Sequence, residues 1–171
     1  MQSADLVLAD SEFNCGELAK LGCARAGTLP LLLDDQQWQT PANSGISNIL
    51  RAHGGRNILH VGRIAPNKRI EDIIKAFYFF RHKIDKRSRL WLVGTDIDTE
   101  IYSFELRRLV SELQLRDAVF FAGSVSNDEL RAFYEQADLY LCLSEHEGFC
   151  MPLLEAMHFS VPVIAYDAGA V

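Results

Sequence analysis

Asn57-Ile-Leu-His-Val-Gly-Arg-Ile-Ala-Pro-Asn-Lys68 is the stretch that decides the fold. Ile58–Val61 is a short apolar run, and Gly62–Asn67 carries turn residues. Ile70, Ile73, Ile74, Phe77 and Phe80 then recur at helical spacing. The order strand, turn, helix continues downstream. Leu90–Val93 is a strand closed by Gly94, and Phe104, Leu106, Leu109, Val110 and Leu113 mark a helix. Ala118–Phe121 is a strand closed by Gly123, and Ser126-Asn-Asp-Glu129 reads as a capping box opening a helix to Gln136. Leu139–Leu143, the helix Pro152–Phe159 and the strand Val161–Ala165 complete the series. Strands that are apolar throughout are buried on both faces, which requires a parallel sheet covered by helices. The expected fold class is therefore α/β, a doubly wound Rossmann-like parallel sheet with helices on both faces. Ligands of such sheets bind beyond the carboxyl ends of the strands.

Upstream, Asp5–Ala9 reads as a buried strand, and Asp10 or Ser11 can cap a helix ended by Gly22. Residues 34–56 change character, with Gln36, Gln37, Pro41, Asn43, Ser44, Gly45, Gly54 and Gly55, a linker composition of little periodicity. The expected division is a remnant of a preceding domain at 1–38, a linker at 39–56 and the sheet domain at 57–171, lacking the helix that should cover its last strand.

The chain has 171 residues, 17 Lys+Arg against 23 Asp+Glu and a formal net charge of −6. Residues 51–116 hold fourteen bases and eight acids, while residues 117–171 hold nine acids and one base. A basic middle beside an acidic end fits a small anionic ligand in a local field, and the overall acidity argues against nucleic acid. No apolar run is long enough to span a membrane, and Met1–Asp5 has no basic leader. Cys15, Cys23, Cys142 and Cys150 form no Cys-x-x-Cys pair, so they are expected to be reduced, with Cys142 and Cys150 as packing residues lacking an activating partner.

Two loops carry the candidate chemistry. In the first, Gly62 allows close backbone approach, and Arg63 and Lys68 stand at a helix start that already favours anions, so a diphosphate clamp is readable there. The alternative is an ordinary turn with two solvated bases. The Walker and G-x-G-x-x-G spacings are absent, which disfavours an ATPase or a standard dinucleotide site. The second loop is Ser144-Glu-His-Glu-Gly-Phe-Cys-Met-Pro-Leu-Leu-Glu155. Pro152 suits a first helical turn, whose free N–H groups can hold phosphate oxygens. Glu147 and Glu155 offer carboxylate acceptors for vicinal hydroxyls of ribose or a hexose. The alternative is a capping Glu147 and a surface Glu155, but the neighbours Leu153, Leu154, Ala156 and Met157 are apolar.

This second loop resembles the E-x7-E motif of family 4 of the retaining glycosyltransferases, which have the GT-B fold. Glu147 and Glu155 match its two glutamates, and Gly148, Phe149, Pro152, Leu153 and Ala156 match its filling. Val61–Lys68 resembles the family's diphosphate-holding turn. Leu92-Val-Gly94, Phe121-Ala-Gly-Ser-Val125 and Ala137-Asp-Leu139 resemble its C-terminal, donor-binding domain. Ser11-Glu-Phe-Asn resembles a helix start at the end of its N-terminal domain. The resemblance implies transfer of a sugar from a UDP- or GDP-linked donor to a saccharide or lipid-linked acceptor held by the missing N-terminal domain. It implies Arg63, Lys68 and Glu147 as catalytic residues. It implies donor contacts from Gly62, Glu155, Gly148, Phe149, Cys150, Met151, Leu153 and Val125. It implies no metal and no further cofactor, and a cytoplasmic location, peripherally at the inner membrane face. A donor-binding subunit of a split transferase, or a retaining glycosidase using the two glutamates, are the other readings. Asp96 and Asp98 are expected to be solvated acids, Arg81–Arg89 a solvated basic helix end, His60 a satisfied core histidine, and His146 a residue at the edge of the site.

Overall fold

The computed structural model describes residues 4–52 and 54–171. The Met1–Ser3 start lies outside them. Two parallel sheets are present. A small unit consists of β1 (Val7–Ala9), α1 (Glu12–Lys20) and β2 (Ala26–Thr28), the two strands paired in parallel. Ser11 caps α1 by accepting from the Asn14 N–H.

The main sheet follows a helix, α2 (Ser44–Arg51). It comprises β3 (Asn57–Val61), α3 (Ile70–Lys83), β4 (Arg89–Val93), α4 (Glu100–Glu112), β5 (Val119–Gly123), α5 (Asn127–Glu135), β6 (Leu139–Cys142), α6 (Met151–His158) and β7 (Val163–Ala165). All five strands are parallel, in the order β5-β4-β3-β6-β7. Strand alternation divides the core between two faces. Ile58, Leu90 and Leu92 face α3 and α4, where Ile70, Ile73, Ile74, Phe77, Leu106 and Val110 are buried. Leu59, Trp91, Tyr140 and Cys142 face the opposite way, onto Leu50 of α2, Phe133 and Tyr134 of α5, and Ala156 of α6. The doubly wound sheet is thus present with helices on both faces. Each of Ile70, Ile73 and Ile74 is fully buried, and such burial contributes about 1.5–3 kcal/mol per side chain.

The stretch 39–56, expected to be a linker of little regular structure, holds α2. Asn43 caps it through Ile46 N–H, and Leu50 is buried. Asn43 donates its side-chain amide to Asp128, and Arg51 donates to Gln136, which lays α2 along α5. Trp38, counted with the preceding remnant, packs edge-on against Tyr134 and Phe159 of the sheet domain. The polar cap Asn43-Ser-Gly45 hides a short amphipathic turn whose apolar positions are Ile46, Ile49 and Leu50. The basic run 81–89 is not simply a solvated helix end either. Arg81 donates to Ser88 O and pairs with Asp117. Arg89 is buried in β4, with its guanidinium on the carbonyls of Ile49 and Leu50 and over the Trp91 ring. Arg89 therefore ties the end of α2 to the sheet.

Strand order reverses between β3 and β6. That position leaves a crevice at the carboxyl ends of the strands, where the 62–69 and 144–150 loops meet.

Candidate functional site

The first loop leaves β3 at Gly62. Its backbone is pressed on the end of β4: Gly62 N–H donates to Val93 O, and Gly94 sits at φ +146°. A Cβ on Gly94 would fall 1.9 Å from Gly62 O, so this approach requires glycine. A short 3-10 turn, Pro66–Lys68, then leads to Arg69, which enters α3 in the left-handed conformation. The turn presents Lys68 inward and leaves Arg63 exposed.

The second loop leaves β6 at Cys142. Glu145 N–H donates to Asn67 O, and Arg69 pairs with the Glu145 carboxylate, so the two loops are joined by backbone and side chain. Between those links, the Lys68 ammonium donates to both oxygens of Glu147, at 2.7 and 2.8 Å. Glu147 is buried and Lys68 nearly so. The Glu147 carbonyl accepts from Ala170 N–H, and a Cβ on Gly169 (φ +71°) would lie 2.8 Å from that carbonyl. The end of the chain is thereby fastened under the loop. His60 lies fully buried beneath. Its Nδ1 bonds Leu141 O, while Nε2 has no partner, so it is a core histidine satisfied on one nitrogen. Burial pushes its pKa down to about 4, against the bond to Leu141, and the Lys68 charge pushes the same way.

Glu155 lies on α6, half-buried. Its Oε2 accepts from Tyr134 OH at 2.8 Å. Burial, with the Glu155 charge second, holds the Tyr134 hydroxyl protonated far above its ordinary range. Tyr134 comes from α5, whose sequence gives only an aromatic at a core position. Its role in orienting Glu155 had no sequence signal. Cys150 caps α6 in a left-handed conformation, φ 60°, and Pro152 is in the first turn. Pro152 brings no N–H to that turn, and Leu153 N–H donates to Cys150 O, so the turn offers fewer free donors than its position at a helix start suggests. Gly148, Phe149, Met151 and Leu153 are half-buried along the same loop and turn. Val125 is set apart, on an apolar cleft of about 360 Å³ with Ile46, Trp91, Phe120 and Phe133. Asp96 is half-buried and Asp98 exposed in the β4–α4 loop.

Cys142 and Cys150 are not isolated packing residues. Both are buried, and their sulfurs and a Glu147 oxygen all lie within 4.8 Å of one another. Ser144 Oγ is 3.4 Å from Cys142 Sγ. The neighbouring Cys150 thiol draws the Cys142 proton affinity down, and the proximity of Cys142, with burial, pushes that of Cys150 up. Their spacing of eight residues matches no metal or redox motif, which is why the sequence reads them as packing residues. The 1–38 stretch also reaches the site. Asn14 donates to Gly148 O at 3.4 Å, and Phe13 lies against His146 with ring centroids 5.9 Å apart.

The family model described as "Glycosyl transferases group 1" matches residues 46–171. A GDP-mannose:cellobiosyl-diphosphopolyprenol alpha-mannosyltransferase of Xanthomonas oryzae pv. oryzae is 34% identical over 112 residues, 65% of this chain and 29% of the relative. A GDP-mannose-dependent alpha-mannosyltransferase of Mycobacterium tuberculosis is 29% identical over 167 residues, 97% of this chain and 40% of the relative. The chain thus spans less than half the length of either. Anabaena HepE, crystallised with UDP and glucose, superposes with a TM-score of 0.83 at 22% identity, covering 98% of this chain and 46% of HepE. The fold is that of one half of a GT-B glycosyltransferase. Among the described residues, no helix is long and apolar enough to cross a membrane.

Proposed function

The chain belongs to the glycosyl transferases group 1, and from that membership we propose that it supplies the donor site of a retaining glycosyltransferase. The observation that carries this reading is the meeting of Lys68 with Glu147 at the strand-order reversal, beside the first turn of α6. The donor is a nucleotide-diphosphate sugar. Lys68, exposed Arg63 and the α6 N–H groups neutralise the charge that develops on the departing diphosphate, the step on which such a transfer depends. Glu155, oriented by Tyr134, accepts the ribose hydroxyls. Glu147, held by Lys68, faces the hydroxyls of the transferred sugar. The base sits toward Gly123–Ser126 and the Val125 cleft.

Two relatives are named for GDP-mannose and HepE was crystallised with UDP, so GDP- and UDP-linked sugars are the donors to test. The acceptor is a saccharide or lipid-linked saccharide, bound by the part of the relatives that this chain does not span. The reaction needs no metal and runs on the cytoplasmic side, at the membrane face.

A thermal-shift panel with UDP, GDP, ADP and NAD tests the reading. Saturation at 100 times Kd stabilises by about 2.7 kcal/mol, a rise of several degrees. The expected result is a rise with UDP or GDP that is lost in Glu155→Ala. A rise with NAD alone, or one unaffected by Glu155→Ala, overturns it.

A further inference from the structure

We propose that Cys142, Cys150 and Glu147 form a binding site for a thiophilic divalent cation, Zn2+ being the ion that fits. The three ligand atoms come from one loop: Cys142 ends β6, Cys150 caps α6, and Glu147 lies between them. Their mutual separations are within 4.8 Å, and Cys142 Sγ is 3.9 Å from Glu147 Oε1. Tetrahedral zinc, with Zn–S near 2.3 Å and Zn–O near 2.1 Å, sets S and O about 3.6 Å apart and two sulfurs about 3.8 Å apart. The loop therefore needs to contract by at most about 1.2 Å. Three protein ligands leave a fourth position for water. Two thiolates select a soft or borderline ion and decline Mg2+.

Charge supports the assignment. With neutral thiols, the cluster of two cysteines, Glu147 and Lys68 sums to zero. When a divalent cation enters, both thiols release protons, and the sum is again zero. The ion can therefore occupy this buried site without leaving an uncompensated charge. Glu147 then turns an oxygen from Lys68 toward the metal. Its consequence for donor binding rests on the function proposed above, whereas the site itself rests on the geometry alone.

Co2+ is the probe, because thiolate ligation gives an intense near-ultraviolet charge-transfer band. The chain holds four cysteines, so a Cys15→Ser/Cys23→Ser double variant leaves Cys142 and Cys150 as its thiols without touching the core. The reduced double variant, titrated with Co2+ in the absence of nucleotide, is expected to show the band at one equivalent and to lose it to Zn2+. Glu147→Gln in that background should weaken Co2+ binding by about tenfold or more. Absence of the band from the double variant overturns the proposal, as does binding unchanged by Glu147→Gln. No nucleotide takes part, so a failure here is distinct from a failure of the donor-site reading.

Discussion

Lys68 donates to both carboxylate oxygens of Glu147, 79 positions further along the chain. The contact exists because β3 and β6 are neighbours in the sheet although three strand–helix steps separate them. It joins the two loops that carry the candidate chemistry, in a place shielded from most solvent.

Breaking that pair should cost more than removing it whole. Glu147→Gln leaves the Lys68 ammonium without its counter-charge, and Lys68→Met does the same to the carboxylate. Each is expected to lower stability by about 2 kcal/mol, below the range for fully buried pairs because Lys68 keeps some solvent contact. The double variant should lose less than the sum. Urea denaturation of the four proteins measures the coupling, and strictly additive losses would contradict it.

Tyr134→Phe removes the hydroxyl that donates to Glu155. Stability should fall by about 1 kcal/mol. Glu155 then loses its fixed orientation, and the affinity for the stabilising nucleotide should fall about fivefold. Calorimetric titration reads the affinity. An unchanged Kd would remove Tyr134 from the site.

Gly94→Ala places a methyl 1.9 Å from Gly62 O, backbone against backbone. A loss of about 3 kcal/mol is expected. Gly16 in α1 is the contrast, since its added Cβ meets nothing within 4 Å, and Gly16→Ala should stabilise by about 0.5 kcal/mol. Thermal melts of the two variants should move in opposite directions.

His60 makes stability depend on acidity. Its folded pKa, about 4, lies below the unfolded value near 6.5. Between those values the unfolded chain binds the proton that the folded chain refuses, so stability falls as pH drops through that window. The loss attributable to His60 approaches about 3 kcal/mol near pH 4. His60→Gln should flatten the pH profile between 6.5 and 4, and an equally steep profile in the variant would assign the dependence elsewhere.

The alternation of apolar strands and helices was legible in the sequence because a doubly covered parallel sheet leaves each strand apolar on both faces. Gly62, Gly94 and Gly123 marked where strands end, and Ser126–Glu129 marked the start of α5. The residues of the two loops could be named from their types, but their partners could not. Which carboxylate Lys68 meets depends on strand order, which local periodicity does not encode. The helix α2 was missed because its polar cap resembles a linker. Arg89 was misplaced because a buried guanidinium is tolerated only where carbonyls converge, here those of Ile49 and Leu50. Cys142 and Cys150 read as separate packing residues because a loop, rather than a motif spacing, folds the two sulfurs together.

Asn14 meets Gly148 and Phe13 meets His146. The β1-α1-β2 unit leans directly on the residues flanking Glu147. The two residues bracketing this carboxylate in the chain, His146 and Gly148, are therefore each held from outside the main sheet, so the packing around Glu147 is shared between the two sheets.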